Sequence, residues 1–301
     1  MTARQKWWLV MLLAAGALTV SGATRIVFLA GGPSHPPGEH EHRAGCLLLQ
    51  SCLEGMADVT TVVYSNGWPA APEVFTGADA VVLYSDGGRL HPLLQGDRLT
   101  TLGKLMDRGV GLAVLHWACD VAKDYGQREF LDWLGGCYEQ HWSVNPLWTA
   151  EFKTLPAHPI TRGVNPFQLY DEWYFHLRFR EGLDRVVPLL TTVAPASTMA
   201  RPDGPHTGNP AVREAVERQV PQIVAWAAER AQGGRGFGFT GGHYHKNWGH
   251  DDFRKLVLNG ILWVAKVEVP ANGVASTVTP TQLEQNLDFK GPQRPRPSSG
   301  K

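Results

Sequence analysis

Short apolar runs alternate with amphipathic stretches through most of this chain. Arg25–Ala30, Val59–Tyr64, Ala80–Tyr84 and Gly111–Leu115 are almost continuously apolar. That is the pattern of strands buried on both faces. Between them, Arg43–Glu54 and Gln95–Arg108 read as helices, the second with Leu99, Leu102 and Met106 on one face, and Glu129–Leu134 as a short helix. Trp148–Lys153, Arg185–Thr192, Ile223–Ala227 and Gly236–Thr240 read as further strands, the last two joined by a turn at Gly233-Gly234. A final helix, capped by Asp251 and running to Lys266, carries Phe253, Leu256, Leu258, Ile261 and Leu262. This alternation predicts an α/β fold built on a doubly wound parallel sheet.

The pattern weakens in the middle and at both ends. Tyr170–His176 is an irregular, aromatic-rich insertion, and Arg201–Pro221 reads as an inserted loop with one helical stretch. From Pro270 the chain is polar with scattered prolines, which predicts an extended tail (270–301), disordered near Arg294–Lys301. At the other end, Arg4 and Lys6 precede an apolar stretch, Trp7–Val20, and a small-residue site, Ser21-Gly22-Ala23. Residues 1–23 therefore read as a secretory signal peptide cleaved after Ala23, because the stretch is shorter than a spanning helix needs. The expectation is an exported protein, periplasmic or extracellular, with no stable membrane insertion once the signal is removed.

Composition narrows the picture. Formal net charge is zero and no basic block is present, which speaks against nucleic-acid binding. The four cysteines, Cys46, Cys52, Cys119 and Cys137, contain no CxxC pair, so a cysteine zinc site is disfavoured. An exported chain permits a disulfide, and Cys119 with Cys137 is the pair to consider.

Three strands lead into histidines: Arg25–Ala30 to Gly38-Glu39-His40-Glu41-His42, Gly111–Leu115 to His116, and Gly236–Thr240 to Gly241-Gly242-His243-Tyr244-His245. In an open α/β sheet, ligands bind outside the carboxyl ends of the strands, so these histidines can share one site. Imidazoles there either ligate a metal or move protons. His40, His42, His116 and His243 are the candidate metal ligands, and which of His35, His40 and His42 faces inward is left open. Asp86 follows the third strand and reaches the same edge. Glu172 lies among large aromatics in Asp171-Glu172-Trp173-Tyr174. Aromatic faces beside carboxylates suit a sugar, so Trp117, His141, Trp173, Tyr174, His245 and Trp248 join Asp86 as candidate substrate-binding residues; the same aromatics can equally be core packing.

Gly109–His116, His158-Pro159-Ile160-Thr161-Arg162-Gly163, Asp171-Glu172-Trp173-Tyr174 and Gly234–Trp263 together resemble the trehalose-utilisation (ThuA-like) family, within the class I glutamine amidotransferase-like fold. The resemblance spans Arg25–Val269 and marks 24–269 as one domain. It implies a flavodoxin-like sheet and a link to carbohydrate catabolism, with a suspected role on 3-keto sugars. Amidotransferases of this fold carry a nucleophilic cysteine at the turn where this chain has His116, while Cys119 lies three residues on. Their histidine falls near His243, but their His-Pro-Glu pattern is absent. The resemblance therefore implies no amidotransferase activity.

The expectation is an enzyme acting on a keto-sugar or glycoside through His116, His243 and Glu172. It would use either metal-free acid/base chemistry or one divalent metal, zinc first, and no nucleotide cofactor. The alternative is a non-catalytic carbohydrate-binding module. The partner is a small-molecule carbohydrate in either case, and a homo-oligomer is left open.

Overall fold

The computed structural model describes residues 22–291. Nearly all of the expected signal peptide, and the segment Arg294–Lys301, lie outside the described residues. The first half follows the expected order: β1 (Thr24–Ala30), α1 (His42–Leu53), β2 (Val59–Tyr64), β3 (Ala80–Tyr84), α2 (Arg98–Asp107), β4 (Gly111–Leu115) and α3 (Gln127–Trp133). Then come β5 (Gly136–Cys137), β6 (Leu147–Phe152), β7 (Phe167–Glu172), β8 (Arg178–Phe179), β9 (Val186–Thr192), α4 (Pro210–Glu217), β10 (Gln222–Glu229), β11 (Arg235–Phe239), α5 (Asp251–Val264) and α6 (Pro280–Leu283).

The central sheet has seven strands in the order β2-β1-β3-β4-β11-β10-β9. Its β2-β1-β3-β4-β11 part is parallel throughout and doubly wound. The one departure is β10, antiparallel to both β11 and β9. The tight turn at Gly233-Gly234 joins β10 and β11 as antiparallel neighbours, and the expected doubly wound sheet is mostly parallel.

Alternate residues of β1 serve two cores. Ile26, Phe28 and Ala30 pack with α1 and α5, and Val27 and Leu29 pack with α2 and α3. Two buried faces explain why the run is continuously apolar. The aromatic insertion is more regular than its sequence suggests, because β7 pairs antiparallel with β6 across the register Leu147–Glu172 to Phe152–Phe167. The cap of α5 also differs by one residue. The His250 ring accepts the Phe253 N–H, and Asp251 is the first helical residue, paired with Arg254.

All four cysteines are free thiols, so the Cys119–Cys137 pairing is not formed. Among the described residues no helix is long and apolar enough to cross a membrane.

Residues 270–291 lie along the body of the domain rather than away from it. Buried Asn259 accepts the Val274 N–H, and buried Arg254 donates to Ser276. The close packing of β4 on α5 yields a stability prediction. A Cβ at Gly111 would run into the carbonyl of Val264. Gly111→Ala should therefore cost about 1–3 kcal/mol in chemical denaturation, the usual penalty of overpacking.

Candidate metal centre at the carboxyl edge of the sheet

Four parallel strands deliver their side chains to one edge. The loop after β1 brings His35, His40 and His42, the turn after β3 brings Asp86, the turn after β4 brings His116, and the loop after β11 brings His243. Glu172 and Tyr174 arrive from the end of β7. His40 and His116 both hold left-handed backbone conformations, with φ of 47° and 56°. A non-glycine residue rarely adopts that region, and such strain concentrates at functional sites.

Nε2 of His40 lies 2.9 Å from Nδ1 of His243 and 3.1 Å from Nε2 of His116. Oε2 of Glu172 lies 3.6 Å from His116 Nε2 and 3.4 Å from His243 Nδ1. One donor atom from each of His40, His116, Glu172 and His243 falls within 4.8 Å of every other. Tetrahedral ligands on zinc, with bonds near 2.0–2.1 Å, sit about 3.3 Å from one another. The separations here straddle that value, so the four residues could hold a metal.

The partners of the other ring nitrogens fix the tautomers. His116 Nδ1 faces the Thr240 carbonyl at 2.8 Å, so it carries the proton and donates. His40 Nδ1 donates to Oδ1 of Asp86 at 2.7 Å. Both Nε2 atoms therefore present lone pairs, and those lone pairs face each other. A carboxylate or backbone carbonyl behind each imidazole is the usual support of a metal-ligating histidine. Burial, with the neighbouring imidazoles adding to it, pushes the pKa of His116 far down and that of His40 likewise. Both are neutral, as ligation requires. His243 is the opposite case. Burial works against its charged form, but the Glu172 carboxylate, with Asp171 and Glu39 behind it, outweighs burial and raises its pKa.

A buried carboxylate positions the loop after β11. Asp171 accepts the N–H groups of Gly242 (2.8 Å), His243 (3.0 Å) and Glu172 (2.8 Å). Gly242 has φ of 109°, which favours glycine, so the loop can turn His243 inward. Tyr174, fully buried, places its hydroxyl 3.2 Å from both His116 Nε2 and Glu172 Oε2. Asn145 donates to Oε1 of Glu172, and Arg201 donates to Asn145.

The sequence candidates divide on this geometry. His40, His116, His243, Glu172, Asp86 and Tyr174 come together. Trp117 stands at the mouth, its ring edge-on to His35 and His40 and its Nε1–H bonded to Asp120. His42 is buried beside the cluster but not among the four. Its Nδ1 faces the Gly32 carbonyl and its Nε2 lies 3.5 Å from Asp86. Because His42 opens α1, the helix carries its ring behind His40. Trp173 and Trp248 are core. Trp173 donates to Leu169 and packs on Phe152, Phe239 and Phe253, and Trp248 packs on Tyr84 and Phe253. His245 is buried away from the cluster in a groove with Leu283, and His141 is exposed, tied by its backbone to Pro205.

Sequence reasoning missed Glu39, whose carboxylate lies 3.5 Å from His243 Nε2. It also missed the wall made by the 201–209 insertion, where His206 bonds Tyr138 and Arg201 reaches toward Glu172 through Asn145. His206 in a proline- and glycine-rich stretch was the one visible signal. A second set that could hold a metal, His35, His40 and Asp86, shares His40 with the first. There the His40–Asp86 hydrogen bond already occupies the nitrogen such a site needs.

The turn after β4 carries His116. Cys119 is fully buried with its thiol directed at the Val114 carbonyl, and burial pushes its pKa up to about 12. It is inert as a nucleophile.

The fold is that of an α/β protein with a mostly parallel sheet and a histidine-rich carboxyl edge. The chain belongs to the trehalose-utilisation (ThuA) family, which matches it over residues 37–264. It is similar in fold to a thua-like protein from Bacteroides uniformis ATCC 8492, with TM-score 0.58 and 13% identity over 83% of this chain and 94% of that one. A thua-like protein from Parabacteroides merdae ATCC 43184 aligns with TM-score 0.52 and 14% identity over 80% and 90%. No curated protein matches the sequence.

The role given to Asp171 is open to a direct check. Asp171→Ala leaves three backbone N–H groups without their acceptor and should destabilise the protein by about 3 kcal/mol or more in chemical denaturation. A change within a few tenths of a kcal/mol would remove Asp171 from that role.

Proposed function

We propose that this protein is an exported enzyme of carbohydrate catabolism that acts on a keto-sugar or glycoside, with a divalent metal, zinc, held by His40, His116, His243 and Glu172. The observation that carries the metal is the facing pair of Nε2 lone pairs on His40 and His116, 3.1 Å apart. With both Nδ1 protons committed to Thr240 and Asp86, no arrangement of neutral imidazoles makes that contact favourable, and a cation between them does. Family membership supports the carbohydrate assignment. Export rests on Arg4, Lys6, Trp7–Val20 and the Ser21-Gly22-Ala23 site.

A bound zinc would polarise a carbonyl or acidify water. The protein supplies the rest. Asp86 and the Thr240 carbonyl hold the two imidazoles in their ligating tautomers. Tyr174 donates its hydroxyl proton to Glu172 and steadies that carboxylate. Glu39, half-buried beside His243, is assigned the role of base for the carbon next to a sugar carbonyl, on its 3.5 Å contact with His243 Nε2. Proton abstraction there leads to elimination or isomerisation, and attack by water leads to hydrolysis. Glutamine hydrolysis is not among its reactions, since no thiolate stands at the turn after β4.

The experiment is metal analysis of protein purified without a polyhistidine tag, paired with turnover of 3-keto-glycosides. Close to one equivalent of zinc is expected, lost in His116→Ala together with turnover, while glutamine releases no ammonia. Absence of metal after zinc supplementation, with turnover unaffected by His116→Ala, would overturn the reading. Tight sugar binding without turnover would instead make the protein a binding module.

A further inference from the structure

The family match ends at residue 264, yet residues beyond it reach the loop that carries His40. Lys290 inserts its ammonium beneath the loop that carries His40. Its side chain is only 3% exposed. The three N–H donors meet three acceptors: the Glu41 carboxylate at 3.1 Å, the Pro36 carbonyl at 3.5 Å, and the Glu39 carbonyl. Glu41 is itself fully buried and also accepts the N–H of Gly38 (2.9 Å) and of Asp288 (2.8 Å). Further along the tail, Arg43 donates to the Asn286 carbonyl, and Leu283 lies in a groove with Tyr244 and His245.

The Glu39 carbonyl belongs to the peptide unit whose N–H is that of His40. That N–H donates to the His243 carbonyl at 2.9 Å. One peptide plane is thus held on its oxygen side by Lys290 and on its nitrogen side by the His243 loop. The left-handed conformation of His40 follows directly after this plane and needs such over-determination to persist. A buried, fully hydrogen-bonded Lys–Glu pair is costly to assemble and adds little stability compared with apolar packing. Its evident product here is the fixed geometry of residues 36–41.

We infer that Lys290, acting through Glu41 and the Glu39 carbonyl, is a positioning residue for the His40 ligand, so that the C-terminal tail completes the metal centre. The inference rests on the metal reading above. Its effect belongs in metal affinity and in the local dynamics of the His40 loop rather than in global stability. Support groups of this kind change metal affinity by roughly 10–100-fold when removed.

The test is Lys290→Met in the full chain, which keeps the aliphatic stem and removes the ammonium. Zinc affinity by chelator competition should weaken at least roughly tenfold. In the metal-free protein, hydrogen exchange of the His40 amide should accelerate while α5 amides keep their protection. If Lys290→Met fails to fold, Glu41→Gln is measured in its place, since it keeps the side-chain shape but turns a donor toward the Asp288 N–H. Unchanged zinc affinity together with unchanged His40 exchange overturns the inference. If the unmodified protein binds no zinc, the metal reading fails, and His40 exchange alone decides whether Lys290 positions the loop.

Discussion

Two imidazole nitrogens that both present lone pairs to each other are the constraint around which this site is organised. His40 and His116 are forced into that opposition by what stands behind them, a carboxylate for one and a strand-end carbonyl for the other. Both rings are fully buried and each is held by its Nδ1 hydrogen bond, which opposes rotation out of this arrangement. His243 and Glu172 close the remaining sides. A positive charge at the centre would be met by the two facing lone pairs of His40 and His116 and by the Glu172 carboxylate. Asp86, Asp171, Tyr174 and Asn145 bond these side chains or the loop that carries them.

The sheet supplies the convergence. Parallel strands end on the same edge, so the turns after β1, β3, β4 and β11 meet although their residues are up to 203 positions apart, as His40 and His243 are. The sharp turn after β4 presents the His116 imidazole at that edge.

Much of this was legible in the sequence, and the failures have physical reasons. Buried parallel strands announce themselves as apolar runs, so β1 to β4, the strand before His243, and the placement of His116 and His243 at strand ends could be read directly. Choosing between His40 and His42 required knowing where α1 begins, because the helix start rotates successive side chains by about 100° and sends His42 behind His40. Trp173 and Trp248 look like sugar platforms in sequence, but in the fold they fill the space between the β6–β7 hairpin, β11 and α5. The tail was the least legible part. Its contacts are carried by single buried groups, Arg254, Asn259 and Lys290, which leave no periodic pattern.

X-ray absorption at the zinc edge, on protein purified without a polyhistidine tag, tests the central claim most directly. Four ligands are expected, imidazole nitrogens and a carboxylate oxygen at about 2.0–2.1 Å, with no sulfur. A shell of water oxygens alone, or a sulfur ligand near 2.3 Å, would contradict it.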